Sequence, residues 1–209
     1  MKYIEKPILV TGVNHTGTTM VVEVLKRLGV FMGDHGVDIP SNNEWTPYLK
    51  VNLEIMNRWN PRLGWKALDY PSIEEIEKEY VRIPIPEPPI LKRRWGIKLP
   101  SICILLPAYL KRFPKAWLIY CTRNKEDLIE SLLRRDGLDR EHWEKFIEVM
   151  DERFKMVAKK YHQIQYEEFC YHPIKETKKM CQYLQLEYKP EIEGWLKEFI
   201  TTDKINKGR

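Results

Sequence analysis

Two apolar spacings alternate along the chain. Short unbroken runs, Pro7-Ile8-Leu9-Val10 and Ala116-Trp117-Leu118-Ile119-Tyr120-Cys121, have the length and composition of strands buried on both faces. Between such runs the apolar residues return every three or four positions. Met20, Val21, Val24, Leu25 and Leu28 fall on one helical face, which ends at Gly29. The pattern predicts strands at 7–12, 95–99, 116–122 and 162–166. It predicts helices at 18–28, 48–58, 72–80, 101–113, 125–136, 140–160, 173–185 and 190–199. Ser72 and Asn124 are expected as N-caps, with Asp127 as a capping-box partner for Asn124, and Pro107 is expected to kink its helix. Residues 30–50 read mostly as a loop able to cover a site, and Ile83-Pro84-Ile85-Pro86-Glu87-Pro88-Pro89 as an extended surface excursion. Strands alternating with helices imply a three-layer α/β/α fold, expected as one domain over 1–209. Its central sheet is mostly parallel, with helices on both faces and a helical C-terminal part.

Between the first strand and the first helix lies Gly12-Val13-Asn14-His15-Thr16-Gly17-Thr18-Thr19. A strand, a glycine turn and a helix in that order make a P-loop-like phosphate cradle, because backbone N–H groups and the helix dipole converge on an anion. Thr18 stands where a nucleoside-triphosphate enzyme of this spacing carries lysine. The loop therefore suits a phosphate other than the γ-phosphate of ATP. A second anion site is expected at the next buried strand. Arg123 leaves the carboxyl end of 116–122, and Ser131 follows about two turns into the helix after it. Two phosphate sites on one sheet edge suit a ligand phosphorylated on two parts of its sugar, bound beyond the strand ends.

With these residues in order, the chain resembles the sulfotransferase family. His15-Thr16-Gly17-Thr18-Thr19 is similar to that family's 5′-phosphosulfate loop, in which a basic residue precedes Ser/Thr-Gly-Thr. Arg123 to Ser131 is similar to its 3′-phosphate motif, although Lys125 stands where a proline is common. Trp95-Gly96-Ile97-Lys98-Leu99-Pro100 and Tyr166-Glu167-Glu168-Phe169 with His172-Pro173 agree with two further elements of the family. His15 itself departs from the arginine or lysine more usual at its position.

The resemblance implies a PAPS-dependent sulfotransferase, moving a sulfuryl group from 3′-phosphoadenosine 5′-phosphosulfate (PAPS) to a hydroxyl or amine. It implies in-line transfer with no metal required, dominated by positioning and charge stabilisation. Asn14, His15, Thr16, Gly17, Thr18 and Thr19 are then expected around the 5′-phosphosulfate, and Arg123 and Ser131 around the 3′-phosphate. His15 or Lys98 would stabilise charge on the bridging oxygen. Glu44 is the first candidate base, with Asp34 and His35 as rivals, although a solvent-facing loop acid is the plainer reading of Glu44. The acceptor could be a small molecule, a glycan or a lipid. Two other readings stay open: a P-loop kinase of a small metabolite, and a non-catalytic nucleotide-binding protein of the same fold.

Composition adds limits. The net charge of +5, from 35 basic and 30 acidic residues, suits a small polyanion, and no nucleic-acid motif accompanies it. Cys103, Cys121, Cys170 and Cys181 lack metal-site or redox-motif spacing and read as buried reduced thiols. No run approaches the roughly 20 apolar residues of a membrane span, and no signal peptide is evident, so a cytoplasmic protein is expected. Trp45, Tyr48, Trp59 and Trp65 read either as lining for an acceptor pocket or, more simply, as core.

Overall fold

The computed structural model describes residues 6–33, 46–82 and 94–200. Among these, β1 (Ile8–Gly12), β2 (Gly96–Lys98), β3 (Trp117–Thr122) and β4 (His162–Gln165) form one parallel sheet in the order β2-β1-β3-β4. The register aligns Leu9 with Ile97 and Leu118, Val10 with Lys98 and Ile119, and Gly12 with Cys121.

Strand side chains alternate between faces, so this register divides the core in two. Leu9, Ile97, Leu118 and Tyr120 pack on one face. They meet α2 (Thr46–Trp59), α3 (Ile73–Arg82), α4 (Ile102–Arg112), α5 (Lys125–Asp136) and α6 (Arg140–Val157). Ile8, Val10, Ile119, Cys121 and Ile164 pack on the other. There they meet α1 (Thr18–Arg27), α7 (Tyr166–Tyr171), α8 (Pro173–Leu184) and α9 (Glu193–Phe199). Both faces of the sheet are thus covered by apolar helix surface, which accounts for the near-continuous apolar runs of β1 and β3. The fold is the expected three-layer α/β/α arrangement.

Local chemistry explains two of the helix starts. Ser72 accepts from the Glu75 N–H at 3.3 Å while the Glu75 carboxylate accepts from the Ser72 N–H at 2.8 Å, a reciprocal capping box at α3. Asn124 caps α5 by accepting from the N–H groups of Glu126 and Asp127. Its own N–H donates to Glu167 of α7, so the return bond of a capping box comes from a distant helix. α4 runs through Pro107 as one continuous helix. The strand expected at 162–166 ends at Gln165, and Tyr166 opens α7, six residues that the pattern did not predict as a helix. The proline-rich stretch 83–89, and most of the loop expected over 30–50, lie outside the described residues.

All four cysteines are free and buried. Burial pushes the Cys103 thiol up to about 12 and Cys181 up to about 11. Tyr48 is fully buried against Tyr109, and Trp65 packs on Trp143 and Phe146. Both belong to the core cluster or pack on it, as does Trp59, while Trp45 lies outside the described residues.

The chain leaves β1 for β2 on one side and returns to β3 on the other. The crevice beyond the carboxyl ends of β1 and β3 is therefore the topological switch point, where ligands of open parallel sheets bind.

Candidate anion-binding site

The crevice begins with the turn after β1. Gly12 takes a φ of +153°, and a Cβ there would lie 2.3 Å from the Cys121 carbonyl oxygen and 2.7 Å from Thr16 Oγ1. Gly17 takes a φ of +85°, and its Cβ would lie 2.5 Å from the Tyr166 ring. Only glycine fits either position. Between them the buried Thr16 closes the turn, its hydroxyl donating to the Val13 carbonyl at 2.7 Å. His15 adopts a left-handed φ of 72°, uncommon for a side chain of its size.

The turn delivers the chain into α1 without a side-chain cap. Helices α5 and α6 are capped by Asn124 and Asp139, whereas α4, α7, α8 and α9 also begin without a side-chain cap. Among the described residues, no backbone carbonyl accepts the N–H of Asn14, Gly17 or Thr18. Such donors, aligned with the positive end of the helix dipole, form an anion cradle. Thr18 is buried, and Thr19 and Asn14 are half-buried at its rim.

The parallel register brings β3 to the same place. Arg123 follows its last residue, its side chain only 7% exposed. The guanidinium donates to the His15 carbonyl at 3.3 Å, sits 4.9 Å over the Tyr166 ring and lies 3.9 Å from Glu167. Arg123 Nε is buried without a hydrogen-bond partner. A buried guanidinium N–H can donate a charge-assisted hydrogen bond to an anionic oxygen.

Ser131, buried on α5, lies 3.1 Å from His15 Nδ1, and His15 Nε2 lies 3.0 Å from Asp136 Oδ2. The residues expected at two separate phosphates are thus joined through one imidazole. Lys66 extends the chain, donating to the Asp136 carbonyl at 2.9 Å. Burial first, and then Arg135, hold the His15 imidazole below its ordinary value, with Asp136 opposing them.

The sequence matches the sulfotransferase family over residues 7–190. This chain belongs to that family. Solved structures with the same fold include sulfotransferase STF9 from Mycobacterium avium, with a TM-score of 0.57 at 16% identity over 94% of this chain and 68% of that one. The sulfotransferase domain from the curacin biosynthetic pathway has a TM-score of 0.56 at 15% identity, over 90% of this chain and 76% of that one. The mouse sulfotransferase SULT7A1, solved in complex with PAP, has a TM-score of 0.55 at 16% identity, over 96% of this chain and 66% of that one. No curated protein matches the sequence.

Within this sulfotransferase fold, the structure brings Asn14, His15, Thr16, Gly17, Thr18, Arg123 and Ser131 to one crevice. Lys98, the last residue of β2, is fully buried, and its charge opposes the burial that raises the Cys121 thiol. Glu44, Asp34 and His35 lie outside the described residues. Three neighbours were missed by the sequence: Asp136, Lys66 and Glu167. Asp136 ends α5 and Lys66 sits in a short 3-10 turn, so neither carries a motif. Glu167 lies within Tyr166-Glu167-Glu168-Phe169, and only the parallel pairing of β3 with β4 sets it beside Arg123. No helix among the described residues is long and apolar enough to cross a membrane.

Proposed function

We propose that this chain is a PAPS-dependent sulfotransferase acting on a hydroxyl or amine acceptor. The observation that supports it most is the meeting of Arg123 and Ser131 with the glycine turn, through His15. A single-phosphate site would need only the turn. A second cationic and hydroxylic group within contact of it suits a nucleotide carrying a separate 3′-phosphate. The PAP complex of the mouse relative is consistent with such a ligand.

In this reading the N–H groups of residues 14–19 and the hydroxyls of Thr18 and Thr19 hold the 5′-phosphosulfate. Arg123 and Ser131 hold the 3′-phosphate, the orphaned Arg123 Nε gaining an acceptor. His15 or Lys98 supplies positive charge beside the loop. Bound PAPS supplies the sulfuryl group itself. Glu44 is proposed to take the acceptor's proton.

The test is transfer from PAPS to a panel of aryl and alkyl alcohols, sugars and amines, followed by release of adenosine 3′,5′-bisphosphate. Transfer is expected to persist in EDTA, because fixed N–H donors and cationic side chains stabilise the charge. A strict requirement for Mg²⁺ and ATP would sink this function and restore a kinase. Tight bisphosphate binding without turnover on any acceptor would favour a non-catalytic role.

A further inference from the structure

An ionised carboxylate accepts hydrogen bonds and donates none, so Asp136 at 3.0 Å accepts the hydrogen bond of His15 Nε2–H. In a neutral imidazole that leaves Nδ1 bare. The 3.1 Å contact with Ser131 Oγ is then made with the single proton of the serine. The oxygens of a phosphate dianion likewise only accept. Ser131 therefore cannot donate to a phosphate and to neutral His15 at once.

A second proton on the imidazole resolves the conflict. Nδ1–H then donates to Ser131 Oγ, and the serine hydroxyl proton is released to turn toward the phosphate. We propose that this chain binds its doubly phosphorylated nucleotide together with a proton, taken up at His15 Nδ1, with Asp136 as the positioning residue that holds the imidazole. The proposal rests on the donor-site reading given above.

The surrounding charges set the direction. Arg135 and Asp136 face His15 from α5, and Arg123 faces it from the end of β3. Lys66, from the turn before α3, pairs with Asp136 at 3.8 Å, and Glu167 of α7 lies against Arg123. In the free protein burial, and after it Arg135 and Arg123, disfavour an imidazolium. An arriving phosphate offsets their charge and raises the proton affinity of His15. The bound value thus stands above the free one. Through His15, affinity is greatest below the free value and falls as pH rises toward the bound value, by up to about tenfold per pH unit.

The test reads the imidazole nitrogen chemical shifts of His15 near neutral pH, in wild type alone and saturated with adenosine 3′,5′-bisphosphate. A neutral ring protonated on Nε2 is expected in the free protein, and a ring protonated on both nitrogens in the complex. Calorimetry in buffers of different ionisation heat complements it. Wild type should take up more protons on binding than His15→Arg, where only the ligand's own phosphates titrate. Asp136→Asn should lower the pH at which the bound imidazole loses its second proton. A neutral imidazole in the saturated complex, or equal proton uptake by wild type and His15→Arg, would overturn the proposal. If the bisphosphate binds and Arg123→Ala weakens it while His15 stays neutral, only the proton coupling fails. Absence of bisphosphate binding by wild type would overturn the donor-site reading as well.

Discussion

Replacing Arg123 with alanine is expected to weaken adenosine 3′,5′-bisphosphate binding by about 100-fold and AMP binding by less than about threefold. The size follows from burial. Hydrogen bonds to charged groups contribute about 1.5–3 kcal/mol each, and this guanidinium is nearly enclosed with one N–H unpartnered. The selectivity follows from the proposed assignment, in which Arg123 at the end of β3 and Ser131, both in contact with His15, hold the 3′-phosphate and the turn after β1 holds the 5′ side. Arg123→Lys keeps the charge but loses the planar fork, so only part of the affinity should return. Calorimetry with both nucleotides checks this. An equal loss for AMP and the bisphosphate would show that Arg123 acts by bracing the His15 carbonyl, not by holding a 3′-phosphate.

The second large effect is on the turn. Gly12→Ala would force a Cβ to 2.3 Å from the Cys121 carbonyl oxygen, at a φ of +153° that an L side chain resists. That carbonyl belongs to β3 in the centre of the sheet and cannot retreat without breaking the register. We expect a loss of roughly 3 kcal/mol or more, in the range of severe backbone and packing lesions. For a chain of this size that lowers the melting temperature by roughly 6–12 °C. Gly194→Ala is the matched control. Gly194 lies within α9, and an added Cβ there meets nothing within 4 Å. Alanine should be neutral there or stabilising by up to about 1 kcal/mol. Melting curves that fail to separate the two variants would contradict the tight approach of β1 to β3.

What was legible in the sequence follows from the range of each signal. The apolar runs at Ile8 and Trp117 announce buried strands because both faces of the sheet are covered, and Asn124 announces its cap because capping is decided within three residues. The glycine turn was readable for the same local reason. The six residues of α7 were not, since fewer than two turns give periodicity nothing to repeat. The burial of Lys98 is set by the placing of β2 beside β1, which its neighbours in sequence do not announce. The Ser131–His15–Asp136 chain joins residues more than a hundred positions apart, and nothing around Asp136 marks it. Its existence depends on the register of β1 with β3 and on the length of α5. Sequence could supply the parts of the anion site, but the fold alone wires them together.

The most direct measurement is calorimetric titration of the wild-type protein with adenosine 3′,5′-bisphosphate, AMP and ATP-Mg²⁺ at matched ionic strength. A bisphosphate affinity at least about 100-fold above that of AMP is expected on the proposal that the 3′-phosphate engages Arg123 and Ser131. Equal affinity for AMP and the bisphosphate, or preference for ATP-Mg²⁺, would contradict a two-phosphate donor site in this crevice.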